Sequence, residues 1–285
     1  VVSTSQIVAH PIQAGGLGSD GVPLTNDVTY RYALVRTSTD GNRIAYVSFP
    51  RNGPPQLFVA EADGAKPPSA IGSGAEAQNF GSFSSDNKVF FVAFSQRSAT
   101  IRSWNLTDGA LSNFSEIPQG ANQLIFSPDG RTAAFHNDRD DRKQVYLQDV
   151  ATGARRVVAS GNEDVGYPRF SRDGNWISVE VSHQSGGNDI AILRATGGPM
   201  EVIVQSAQPS FAAGWMPDND RILFAGFRDA VWNIYSVSRS TRKVERLTDY
   251  KLTRAYVRYP DWLSGNRIAY EFNETKGNVL VANLP

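Results

Sequence analysis

One turn-and-strand unit recurs six times along the 285 residues, and this recurrence constrains the fold more than any other feature. It appears as TSTDGNRIAY (37–46), FSSDNKVFFV (83–92), FSPDGRTAAF (126–135), FSRDGNWISV (170–179), WMPDNDRILF (215–224) and WLSGNRIAYE (262–271). An apolar or aromatic residue leads most copies into a tight turn, and an alternating strand follows. The turn aspartates Asp40, Asp86, Asp129, Asp173 and Asp218 are separated by 46, 43, 44 and 45 residues, and Trp262 follows Trp215 by 47. The first copy has Thr37 in the leading position, and the last has Gly265 in place of the turn aspartate.

The turn residues have a mechanism: an aspartate can accept a bond from the backbone two residues on, and glycine or asparagine tolerates positive φ. Each copy therefore reads as a hairpin. Runs such as QVYLQDV (144–150), NIYSVSR (233–239) and NVLVANL (278–284) supply a third strand, and ARRVVAS (154–160), PMEVIVQ (199–205) and RKVERLTD (242–249) a more polar fourth. Apolar residues alternate with period two, and no amphipathic helix is visible. The expectation is all-β: a six-bladed β-propeller of four-stranded antiparallel blades, beginning near residues 29, 77, 121, 165, 209 and 256. The sequence stops after a third-strand run, whereas SQIVAHPI (5–12) precedes the first repeat. We therefore expect the N-terminal strand to close the ring as the outer strand of the last blade, beside residues 279–284, removing an exposed edge. The competing reading makes residues 1–28 a loose, glycine-rich arm.

Lys and Arg equal Asp and Glu at 28 each, so no net field gathers nucleic acid. The absence of cysteine excludes disulfides, thiolate nucleophiles and cysteine-bound metals. No apolar window approaches the roughly 18 residues of a membrane span, and the first residues do not read as a signal peptide. A soluble, monomeric single domain is expected.

The repeats FSPDGRTAAF…QVYLQDVATG and YPRFSRDGNWISV resemble the WD-like propeller repeat of the TolB-like family and of prolyl oligopeptidase-type peptidases. The resemblance covers nearly the whole chain but rests on residues that build turns and cores, so it speaks to architecture more than activity. It implies a periplasmic or secreted protein that binds another protein at one mouth of the propeller. The α/β domain of TolB and the hydrolase domain of the peptidases lie outside these residues, and no G-x-S-x-G elbow is found in them.

Candidate site residues come from loops on the face that carries the blade-to-blade connections. The loop GNEDVGY offers Glu163, Asp164 and Tyr167, and YKLTRAYVRY offers Arg254, Tyr256 and Arg258; His183 and Arg228 lie in loops within blades on the same face. Arginine and tyrosine together suit carboxylated or sugar ligands and also protein interfaces. The plainer reading is solvated loops, with the tyrosines packed between blades. His136 and His183 open loops at matching positions, but no H-x-H or H-E-x-x-H spacing supports a metal, and NDRDD (137–141) lacks an EF-hand spacing. No cofactor or metal is expected. Among the tryptophans only Trp232 reads as an exposed candidate. The leading expectation is a non-catalytic binding propeller for a protein, carbohydrate or small molecule at the tunnel mouth. The alternative is a glycan- or small-molecule-active lyase or hydrolase, marked by convergence of His183, Glu163, Arg228, Arg254 and Tyr256 in one deep pocket.

Overall fold

The computed structural model describes residues 2–12, 21–25, 31–72, 76–95, 98–139, 141–253 and 255–276. They form six four-stranded antiparallel sheets, with no helix among the described residues. The innermost strands of blades 1 to 6 are Arg31–Thr37, Ala77–Phe83, Ala121–Phe126, Asp164–Phe170, Ser210–Trp215 and Ala255–Leu263. Each packs beside the next, and the sixth packs beside the first, which makes the arrangement a ring around a central tunnel. The core lies between blades, where side chains such as Phe91, Phe135, Trp215 and Tyr270 are completely buried.

The N-terminal strand does close this ring, but its place in the blade differs from the expectation. Val2–Pro11 pairs with Arg267–Lys276 in unbroken register from Val2↔Lys276 to Pro11↔Arg267, and Val22–Pro23 flanks it outside. The run is thus the third strand of blade 6, not the outer one, and residues 278–284 lie outside the described residues. Burial explains the difference. Ile7, Val8 and Ala9 are all buried, so both faces of the strand are covered, as suits an interior position. True outer strands instead expose apolar residues, with Val157, Val202 and Val244 each more than 40% accessible at 44%, 42% and 47%.

Turn chemistry follows the sequence closely. Asp40, Asp129, Asp173 and Asp218 each accept a backbone N–H two residues on at 3.0 Å, and Ser38, Ser127 and Ser171 donate their hydroxyls to the aspartates beside them. The left-handed turn position is held by glycine or asparagine in every blade: Gly41, Asn87, Gly130, Gly174, Asn219 and Gly265. At Gly130 a Cβ would also come 2.5 Å from the Phe90 ring, so space and conformation agree.

A second repeated device is absent from the sequence pattern. Every innermost strand slips register at one place: between Ala33 and Arg36, Asn79 and Ser82, Asn122 and Ile125, Gly166 and Arg169, Ala212 and Trp215, and Arg258 and Asp261. Leu34, Phe80, Gln123, Tyr167 and Tyr259 take positive φ there, between 50° and 59°. Such bulges re-aim side chains, here around the tunnel, and non-glycine residues are uncommon in that conformation.

Candidate binding mouth of the tunnel

Each innermost strand runs from the inter-blade face toward the face of the tight turns. Residues that begin these strands, or end the second strands, therefore surround the inter-blade mouth. There, aromatic rings from three blades form a continuous wall. Tyr167 of blade 4 lies 6.4 Å from Phe211 of blade 5, and Phe211 stacks on Trp232 at 5.3 Å and 11°. Trp232 meets Tyr256 of blade 6 edge-on at 4.7 Å and 82°. The guanidinium of Arg258 covers the rings of Tyr256 and Tyr259 at 4.8 and 5.3 Å. Edge-to-face and offset pairs of this kind hold rings in place, and each of the four remains half-buried, with part of its surface open to water.

Behind the wall, one position of the second strand differs sharply between blades. The residues paired just before the bulge are Val47, Val92 and Phe224 in three blades, but His136, Glu180 and Glu271 in the others, all fully buried. His136 Nδ1 accepts the backbone N–H of Tyr167 at 3.1 Å, and Nε2 lies 3.2 Å from Asp138 Oδ1. Burial, followed by the charge of Lys143, pulls its pKa down to about 4 despite Asp138. The ring is thus neutral near pH 7 with its proton on Nε2, and its work is to pin the bulge that carries Tyr167. Glu271 Oε1 lies 3.3 Å from Arg258 and accepts bonds from Ser5 and Asn273. Burial lowers the Arg258 pKa, but Glu271 together with Tyr259 and Tyr256 outweighs it and the net direction is upward. Burial, and then the charge of Glu180, push the Tyr167 hydroxyl up to about 12. Burial raises the Tyr256 hydroxyl as well, so Tyr167 and Tyr256 are neutral hydrogen-bonding groups at any ordinary pH.

Of the candidates read from sequence, the structure brings together Tyr167, Tyr256 and Arg258, with Trp232 between them. Asp164 instead accepts the Lys143 backbone N–H at 2.9 Å and fastens a loop. Arg228 donates to Phe227 O and Ser210 Oγ at 2.8 and 2.9 Å, bracing the strand behind the wall. His183 Nε2 sits 3.1 Å from Asp189 Oδ2, whose other oxygen accepts the Ser206 N–H. Among the described residues no hydrogen bond or ion pair links Glu163 or His183 to Arg228 or Tyr256; Arg254 lies outside them. Nor do three or more His, Asp or Glu side chains gather there as a metal site. Sequence reading missed Phe211, Glu180 and Glu271. The two glutamates did leave a signal, a lone charge inside the apolar strands ISVEVS and IAYEFN.

The opposite mouth is built differently. A cavity of about 770 Å³ opens on the turn face, lined by residues including Asp129, Asp149, Arg155, Arg156 and Asp173. Beside it Arg172 of blade 4 reaches across the tunnel end. It donates to Trp215 O at 2.8 Å, Ser38 O at 3.2 Å, Thr37 Oγ1 at 2.8 Å and Asp261 Oδ1 at 3.0 Å, and lies 5.1 Å from the Trp262 ring centre. One side chain thereby ties blade 4 to blades 5, 6 and 1.

The fold recurs in known proteins. The structure superposes on that of a putative TolB from Agrobacterium tumefaciens with a TM-score of 0.74 at 18% identity, covering 96% of this chain and 99% of the other. TolB from Acinetobacter baumannii gives 0.65 at 16% identity, covering 85% of this chain and 63% of TolB. An uncharacterized protein of Agrobacterium fabrum is 25% identical over 154 residues, which are 51% of this chain and 52% of that protein. The match thus spans about half of that relative and less than two thirds of the Acinetobacter TolB. No helix among the described residues is long and apolar enough to cross a membrane. The family model of the TolB beta propeller domain matches residues 112–284, well over half of the sequence, and the chain belongs to that family.

Proposed function

We propose that the chain is a non-catalytic binding propeller whose partner, a protein, docks on the inter-blade mouth. The observation that carries this reading is the wall of Tyr167, Phe211, Trp232 and Tyr256 with Arg258 at its edge. Tyrosine, tryptophan and arginine are the residues that dominate binding energy at protein interfaces, because they give large contact area at low conformational cost. The arginine is held by a buried carboxylate and two rings, so little ordering remains when a partner arrives. The turn face lends itself less to this role, since its aspartates are engaged in turn bonds. Against catalysis stands His136, neutral and buried, its Nδ1 taken by the Tyr167 N–H and its Nε2 turned to Asp138 at 3.2 Å. Family membership supports the binding role and an exported location.

The test is affinity capture from an extract of the source cells, with the captured protein identified and its affinity measured against folded Trp232→Ala and Tyr256→Ala variants. Each substitution is expected to cost about 2 kcal/mol of binding. Undiminished affinity in both would place the interface elsewhere, and a captured small molecule that is chemically altered on incubation would favour an enzyme.

A further inference from the structure

Just past the bulge toward the turn face, each blade contributes one residue to the tunnel waist: Arg36, Ser82, Ile125, Arg169, Trp215 and Asp261, all at least nine-tenths buried. They enclose a cavity of about 80 Å³. Blades 1 and 4 stand opposite each other in a six-membered ring, so the two arginines approach across the axis. Their partners are neutral: Arg36 donates to Val35 O at 2.6 Å, and Arg169 to Pro168 O at 2.7 Å and Gln123 Oε1 at 3.1 Å. Two carboxylates act on the pair, Asp261 on both arginines and buried Glu180 on Arg169; Asp261 is already engaged, because its Oδ1 takes Arg172 and the Trp262 N–H while Oδ2 takes the Thr37 N–H. Arg169 Nε and Ser82 Oγ, both on the cavity wall, have no hydrogen-bond partner among the described residues.

Two guanidiniums buried together with no ion pair among the described residues are costly, because desolvation and mutual repulsion both oppose charge. Burial and then Arg169 pull the Arg36 pKa down to about 9, and burial lowers that of Arg169 as well. An oxyanion would offset both terms. The guanidinium fork matches the oxygens of carboxylate and phosphate, and a serine hydroxyl adds a further donor. We propose that the tunnel waist is a binding site for a compact oxyanion, a carboxylate or phosphate group held between Arg36 and Arg169. Arg172 covers the turn-face end. Gln123 and Tyr259, hydrogen-bonded at 3.4 Å, stand one layer toward the inter-blade mouth. The site does not depend on which partner occupies the outer wall.

Calorimetric titration at constant chloride distinguishes the possible sources of the anion, with sodium phosphate, sodium acetate, triglycine and triglycine amide as the probes. Saturable one-to-one binding of at least one anionic probe is expected. Arg36→Gln and Arg169→Gln should each weaken it by about tenfold or more, the scale of a lost charge-assisted hydrogen bond, while Arg155→Gln on the turn face leaves it unchanged. Binding of triglycine but not its amide would identify a chain terminus as the source; binding of phosphate or acetate alone would identify a free anion. If Arg169→Gln does not fold, Arg169→Lys and Arg36→Gln carry the comparison. No saturable binding by any probe would overturn the proposal, as would equal binding by folded waist variants.

Discussion

The two mouths of the tunnel are made of the same strands, yet one repeats itself and the other does not. On the turn face Asp40, Asp129, Asp173 and Asp218 perform one operation at one distance, 3.0 Å to a backbone N–H two residues on. On the inter-blade face, equivalent second-strand positions hold valine, valine, histidine, glutamate, phenylalanine and glutamate. Repetition marks what every blade must do to fold. Divergence on a shared backbone marks where blades have been given separate tasks, and binding residues concentrate at such places on rigid scaffolds.

This contrast can be broken or sharpened by experiment. The largest effect is expected from Arg172→Ala, which removes the tie among four blades and leaves the buried Asp261 without its cationic partner. A loss of about 4 kcal/mol in urea unfolding is expected, with partner affinity unchanged per folded molecule. Loss of affinity without loss of stability would erase the distinction between the faces.

Acid should separate the two faces by pH. The His136 pKa is about 4 in the fold against an ordinary value near 6.5. Because the folded value is depressed, its contribution is complete above about 6.5 and is lost as pH falls toward 4, for a total of about 3 kcal/mol. His136→Gln should flatten urea stability across that window. The turn carboxylates Asp40 and Asp173 are also depressed: the Ser38 hydroxyl leads for Asp40, and bonds from Ser171 and Asn175 outweigh burial for Asp173. Their contribution is present above the ordinary carboxylate value of about 4 and is lost only below it. A His136→Gln profile as steep as that of the parent would contradict this assignment.

The smallest effect belongs to a single turn. Asp173→Ala should cost about 1 kcal/mol through the lost bonds to Asn175 and Ser171, and partner affinity should not change. A change in affinity without a change in stability would make this aspartate a binding residue.

Those turns were legible in the sequence because their chemistry is local: an aspartate and the backbone it bonds lie two residues apart. The blade count followed from the same spacing. Strand order in the last blade was not, since whether QIVAH is third or fourth depends on which neighbours bury it. The bulges were invisible as well, because Leu34, Phe80, Gln123, Tyr167 and Tyr259 are of four residue types and take positive φ without glycine. The site was read in fragments. Tyr167, Tyr256, Arg258 and Trp232 stood out as loop aromatics and cations, whereas Phe211, which joins them, lies within the innermost strand Ser210–Trp215. The waist pair Arg36 and Arg169 is set 133 residues apart and meets only across the closed ring.

The central claim is that the inter-blade mouth is the binding face. It is tested most directly by placing a photo-crosslinking amino acid at Trp232 or, separately, at Asp129 on the turn face, and irradiating intact source cells. The account predicts a discrete protein adduct from position 232 and none from position 129. An adduct from position 129 alone would contradict it.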